Sequence, residues 1–138
     1  FCSQLEEIRN RYGLKLELKI QPSDYEKFVE ISKAKIMLFP SYFEGYGTPP
    51  IEAQYCNTLC LVYDLPVLRE TCGDGVIYCE YGNVQDMKNK LTNLLEQDSP
   101  AVNLRNNIFE IANFEKCARR LDALFRRHLW EDWRKGKT

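Results

Sequence analysis

The stretch from Ile36 to Tyr63 restricts the fold more than any other part of the chain. Ile36-Met37-Leu38-Phe39 is a short continuous apolar run, as expected of a strand buried on both faces. Pro40 ends it, and a loop carrying Gly45 and Gly47 follows. Pro49-Pro50 then opens a helix, because proline is favoured in a first turn, and the helix runs to Tyr55 or Cys56. Asn57-Thr58 turns the chain into a second apolar run, Leu59 to Tyr63. Strand, helix and strand at this spacing predict an α/β fold built on a parallel sheet.

The flanking sequence repeats the alternation. Ser3 to Tyr12 reads as a helix with Leu5, Ile8 and Tyr12 on one face, stopped by Gly13. Leu14, Leu16, Leu18 and Ile20 alternate with Lys15, Glu17 and Lys19, the pattern of a half-exposed strand. Pro22 breaks it, and Ser23 or Asp24 caps a helix to about Lys33. Pro66 opens a short helix to Cys72, Gly73-Asp74-Gly75 turns, and Val76 to Cys79 is a further strand. Three helices are expected to close the chain. They are Val84 to Gln97, with Met87, Leu91, Leu94 and Leu95 inward, then Ala101 to Ala112, then Phe114 to Trp133. The last carries an apolar stripe of Ala118, Leu121, Phe125, Leu129 and Trp133. There is no repeat or linker, and only the tail from Lys135 to Thr138 reads as disordered.

At 138 residues the chain fits one domain with enough apolar content for a core. A net charge of −1 supplies no bulk field for nucleic acid, so no nucleic-acid partner is expected. No apolar run is long enough to span a membrane. The chain opens at Phe1 rather than Met, as a piece of a longer protein would. Cys2, Cys56, Cys60, Cys72, Cys79 and Cys117 match no common zinc spacing, and His128 is the single histidine. Buried free thiols of a reducing compartment are the expected state, with a metal site or a disulfide framework as the alternatives. No metal site and no resident cofactor are assigned.

Glu44-Gly45-Tyr46-Gly47-Thr48-Pro49-Pro50-Ile51-Glu52 concentrates the chemistry. In an open α/β sheet, ligands bind beyond the carboxyl ends of the strands, where this loop falls. Gly45 and Gly47 let backbone approach a ligand, and helix-start N–H groups attract anions. Two carboxylates can accept hydrogen bonds from sugar hydroxyls, and Thr48 adds a hydroxyl. Tyr46 either closes over a ligand or tucks into the core. Each residue also has an ordinary reading: Glu52 as a first-turn acid facing the helix dipole, Glu44 as a solvated loop residue, the glycines as turn formers.

The wider segment discriminates between these readings. Phe39-Pro40-Ser41, the nine residues above and Ala53 closely resemble the C-terminal domain of GT-B glycosyltransferases, in particular the retaining glycosyltransferase family 4. The family hallmark is a Glu, seven residues and a second Glu, with Gly-aromatic-Gly after the first. The resemblance continues through Leu59 to Asp64, Pro66-Val67-Leu68-Arg69-Glu70, Gly73-Asp74-Gly75 and Gly82-Asn83. It implies a Rossmann-like parallel sheet with flanking helices. It also implies a donor-binding part of an enzyme that moves a hexosyl group from a nucleotide-diphosphate sugar to an acceptor in polysaccharide or glycoconjugate synthesis. By this resemblance Glu44 is the catalytic residue, binding donor-sugar hydroxyls near the reacting carbon, with no nucleophile role assigned. Backbone N–H groups of Gly45, Tyr46, Gly47 and Thr48 hold sugar and diphosphate, and Glu52 accepts from the nucleotide ribose. The base falls near Ile20 and Gln21. GDP-mannose, UDP-glucose and dTDP-rhamnose all suit such a site as co-substrates.

The departures from the family pattern matter equally. The family's domain opens with a strand and a glycine loop, whose Arg and Lys meet the diphosphate, then a second strand. None of that precedes Phe1. Residues 1–138 therefore read as a partial C-terminal domain lacking its first two strands, ending in a helix over 114–134. The Leu14–Ile20 strand is expected to stand apart from Ile36–Phe39 or to pair with it in a non-family way. The acceptor-binding N-terminal domain is expected as a missing partner, and the chain alone is expected to be inactive. Arg69 offers one charge, with a surface role as the alternative. The helix from Phe114 carries Arg119, Arg120, Arg126, Arg127 and Arg134. A core-packing helix with a solvated face is preferred there over peripheral contact of the full-length protein with a membrane. Trp130 and Trp133 would cover the missing domain. The expected location is the cytoplasm or the cytoplasmic membrane face. A non-catalytic interaction module that keeps the fold is the competing function, against which the intact Glu pair speaks. A dehydrogenase is excluded by the lack of G-x-G-x-x-G after a first strand.

Overall fold

The computed structural model describes residues 2–97 and 113–135, with side chains at 3–97 and 113–127. Helices α1 (Cys2–Tyr12) and α2 (Asp24–Lys33) precede strand β1 (Ile36–Phe39). Then come α3 (Thr48–Tyr55), β2 (Leu59–Tyr63), α4 (Pro66–Cys72), a 3-10 turn at Gly73–Gly75 and β3 (Ile77–Cys79). Helices α5 (Val84–Leu95) and α6 (Phe114–Lys135) complete the order. The helix expected over 101–112, and the side chains of His128, Leu129, Trp130, Trp133 and Arg134, lie outside the described residues.

The sheet is parallel, in the order β1-β2-β3, with Ile36 opposite Leu59 and Leu61 opposite Ile77. All of β2 is buried, and its alternating residues feed two cores, as period-two side-chain direction requires. Cys60 and Val62 pack with Ile51, Ala53, Leu68, Cys72 and Val76 on the α3–α4 face. Leu61 and Tyr63 pack with Cys79 and Met87 on the α5 face. Ser23 starts α2 through a reciprocal capping box: Glu26 N–H donates to Ser23 Oγ at 3.3 Å, and Ser23 N–H donates to Glu26 Oε2 at 2.9 Å. Thr58 Oγ1 donates to Ile31 O at 2.7 Å, tying the end of α2 to the entry of β2.

Five expectations are corrected. Leu14–Ile20 forms no strand: Leu14, Leu16, Leu18 and Ile20 are all exposed. Alternation encodes two faces, but a strand also needs a neighbour for its backbone groups. Among the described residues none pairs with it, so it stands apart from β1 as a loop, held to α2 by a Lys19–Glu30 contact of 2.8 Å. In α6, Ala118, Leu121 and Phe125 are exposed, so its described stripe covers no core. Strand β3 starts at Ile77 rather than Val76, and Leu95 at the end of α5 is exposed rather than inward. Ile8 and Tyr12 of α1 are likewise exposed.

Candidate functional site

The loop between β1 and α3 is built by packing from below. Gly47 is the α3 N-cap at φ +82° and ψ +50°, a left-handed conformation that glycine adopts without Cβ strain. A Cβ at Gly47 would overlap Leu68 Cδ2 on α4, so the loop backbone lies directly on that buried side chain. Tyr46 O accepts from Thr71 Oγ1 at 3.0 Å, a second tie to α4. The Tyr46 ring is half-buried against the α3–α4 core while also lining a cleft, so it tucks in without leaving the site. Burial pushes its hydroxyl pKa up.

Pro49 and Pro50 occupy the first turn of α3. They lack N–H groups, so this helix start offers fewer donors than an ordinary one. The N–H groups nearest this helix start are those of Gly45, Tyr46, Gly47 and Thr48, and Gly47 is buried. Gly45 and Thr48 are exposed and Glu44 is half-buried.

Glu52 projects from the next turn of α3 with its side chain only 15% exposed. Lys27 Nζ, from α2, donates to its Oε1 at 2.7 Å. Lys27 also lies 3.3 Å from Asp24 Oδ1 and 4.8 Å from the centre of the Phe28 ring. The Glu52 carboxylate raises the Lys27 pKa, chiefly through that hydrogen bond. The ordinary reading of Glu52 as an acid facing only a helix dipole therefore misses its partner, which lies on another helix. A cleft of about 490 Å³ runs along this face, lined by Phe28, Tyr46, Thr48, Ile51, Glu52, Tyr55 and Phe114. It brings together Tyr46, Thr48 and Glu52; Glu44, Gly45 and Gly47 are not among its lining residues.

Arg69 is committed elsewhere. Its Nε and Nη2 donate to Asp64 Oδ1 and Oδ2, each at 2.7 Å, and its guanidinium stacks 3.7 Å from the Tyr78 ring centre. That pairing holds the Asp64 carboxyl below its usual range. The surface role is thus the one Arg69 fills. Sequence reading also passed over Tyr42, Tyr63 and Tyr81. Their rings meet beyond the carboxyl ends of the strands, with centroids 5.3 Å (Tyr42–Tyr63) and 5.7 Å (Tyr42–Tyr81) apart. Tyr81 donates its hydroxyl to Tyr42 O at 3.2 Å. The three are spread over 39 residues, and no local pattern announces them.

The fold is that of a GT-B glycosyltransferase domain. Sucrose-phosphate synthase from Thermosynechococcus elongatus matches 94% of this chain at a TM-score of 0.73 and 22% identity, over 34% of its own length. Residues 3–112 match the family described as "Glycosyl transferases group 1", and the chain belongs to that family. The O-antigen chain mannosyltransferase RfbU of Salmonella typhimurium is 34% identical over 84 residues, covering 61% of this chain and 24% of the relative. The serotype-specific mannosyltransferase WbdA of Escherichia coli is 24% identical over 119 residues, covering 67% of this chain and 15% of the relative. The chain thus spans a quarter or less of the curated relatives it matches.

Proposed function

We propose that this chain is the donor-binding part of a retaining glycosyltransferase that takes a hexosyl group from a nucleotide-diphosphate sugar. The two relatives named as mannosyltransferases favour mannose as the transferred sugar, for assembly of an O-antigen-type polysaccharide, and this reading takes GDP-mannose as its first donor. In this reading the diphosphate lies against the N–H groups of Gly45, Tyr46, Gly47 and Thr48. Fixed backbone dipoles there stabilise charge as it develops on the leaving group. Glu44 orients the donor sugar through its hydroxyls, and Glu52 accepts from the ribose. The sugar nucleotide is a co-substrate, and the chemistry invokes no metal or resident cofactor. Cationic groups for the diphosphate and the acceptor site come from parts of the protein outside this chain. No helix among the described residues is long and apolar enough to cross a membrane. Peripheral contact at the cytoplasmic face belongs to this proposal through α6, where Leu121, Leu124 and Phe125 are exposed beside Arg120 and Arg127.

The observation that carries the reading is the loop itself. Gly47, buried and in the left-handed region, seats the loop on Leu68, and a half-buried Glu52 stands one turn further on. The test is nucleoside diphosphate binding by the intact protein and its Glu52→Ala variant, followed by calorimetry. Loss of a hydrogen bond to a charged acceptor is expected to weaken binding by about 1.5–3 kcal/mol, tenfold or more. Equal affinity in the two proteins rules out the ribose role.

A further inference from the structure

We infer that Lys27 is a positioning residue for Glu52, fixing the carboxylate from a neighbouring helix so that it presents its second oxygen to the nucleotide ribose. This rests on the ribose reading above. A carboxylate has two oxygens and about four acceptor positions. Lys27 Nζ occupies Oε1 at 2.7 Å. An unrestrained glutamate on a helix samples several rotamers, and ordering one of them on binding costs free energy. The ammonium removes that freedom beforehand.

The placement of Lys27 is itself built in. The capping box at Ser23 fixes the start of α2 one turn before Lys27. At the other end of α2, Thr58 Oγ1 holds Ile31 O at 2.7 Å. Helix α2 is therefore capped before Lys27 and tied, beyond it, to the segment that follows α3. The ammonium lies 4.8 Å from the Phe28 ring centre, and Phe28 and Glu52 line the same cleft. Lys27 is 34% exposed and Glu52 15% exposed, so losing Lys27 also costs the fold something, which the melting temperatures of the variants report separately. The pair's consequence for binding is orientation, and orientation is visible only with a ligand that has ribose hydroxyls.

The experiment is a ligand–variant cycle on the intact protein. Affinities for GDP and 2′,3′-dideoxy-GDP are measured by calorimetry in wild type, Lys27→Met, Lys27→Arg and Glu52→Ala, with melting temperatures as a folding check. Lys27→Met keeps the side chain's apolar length and removes the charge. It is expected to lower the GDP-to-dideoxy affinity ratio by about tenfold while leaving dideoxy-GDP affinity as in wild type. Lys27→Arg is expected to restore most of the ratio. An unchanged ratio in Lys27→Met, or equal loss for both ligands, overturns the inference if Glu52→Ala, which removes the acceptor, still collapses the ratio. If Glu52→Ala leaves the ratio unchanged, the ribose reading fails, and the role of Lys27 with it. Repeating the series with UDP and its dideoxy analogue covers a uridine donor.

Discussion

Gly47→Ala is the perturbation most sharply specified by this fold. Two costs add. The backbone sits at φ +82°, where an L side chain crowds its own carbonyl, at about 1–2 kcal/mol. The new Cβ also meets Leu68, whose Cδ2 it overlaps and whose Cγ lies 3.7 Å away. Leu68 is fully buried within the α3–α4 core and cannot swing aside without disturbing Cys72, Val62 and Ile51. Overpacking of that kind costs about 1–3 kcal/mol. The sum, about 2–5 kcal/mol, is a large share of a typical domain's stability. Denaturant titration of the intact protein, following the transition that reports this domain, measures it. The steric part has its own signature. In Gly47→Ala/Leu68→Ala the clash is gone, so the double variant is expected to be more stable than the sum of singles by about 1–3 kcal/mol. A Gly47→Ala protein within about 0.5 kcal/mol of wild type would refute the close approach of the loop to α4. Additivity in the double variant would refute the assignment of that cost to Leu68.

Gln54 is 1% exposed, and neither amide atom has a hydrogen-bond partner among the described residues. Gln54→Met keeps the shape, removes the unpaired dipole, and is expected to raise stability by about 1–3 kcal/mol in the same titration. Burial pushes the Cys60 thiol up to about 12, and Cys72 and Cys79 are buried as well, whereas Cys117 is exposed. Alkylation of the native protein near about pH 8, read by mass spectrometry, is therefore expected to modify Cys117 and spare Cys60. The Tyr78 hydroxyl donates to Leu68 O at 2.9 Å and Gly73 O at 2.6 Å, and burial first of all pushes its pKa up to about 12. The neutral phenol is the folded form, so its contribution is complete below pH 10 and is lost as pH rises from 10 towards 12. Alkaline melts of Tyr78→Phe are expected to lack that loss.

The core of the fold was legible because each boundary has a local cause. Pro40, Pro49-Pro50, Pro66 and Asn83 stop or start elements by dihedral restriction or capping, and Leu59–Tyr63 has no polar residue to place on a solvent face. The Leu14–Ile20 strand was misread for a different reason. Alternation records which residues prefer burial but not whether a neighbouring strand exists. The stripe of α6 fails in the same way. In the site, the glycine pair and both glutamates were visible as chemistry. Sequence did not show that Gly47, and not Gly45, takes the positive φ, because that choice is made by contact with Leu68. It did not show Lys27 either. Three residues after Asp24, Lys27 reads as half of an ordinary surface pair, and its bond to Glu52 spans 25 residues through the packing of α2 on α3.

The account turns on whether the Glu44–Glu52 loop handles a sugar nucleotide. The direct measurement gives the intact protein GDP-mannose, UDP-glucose and dTDP-rhamnose in turn and follows release of the nucleoside diphosphate. The account predicts turnover of one donor, GDP-mannose first among them, and a fall of about a hundredfold in Glu44→Ala, where the donor sugar loses its orienting carboxylate. No turnover or binding of any donor, or a Glu44→Ala rate equal to wild type, contradicts it.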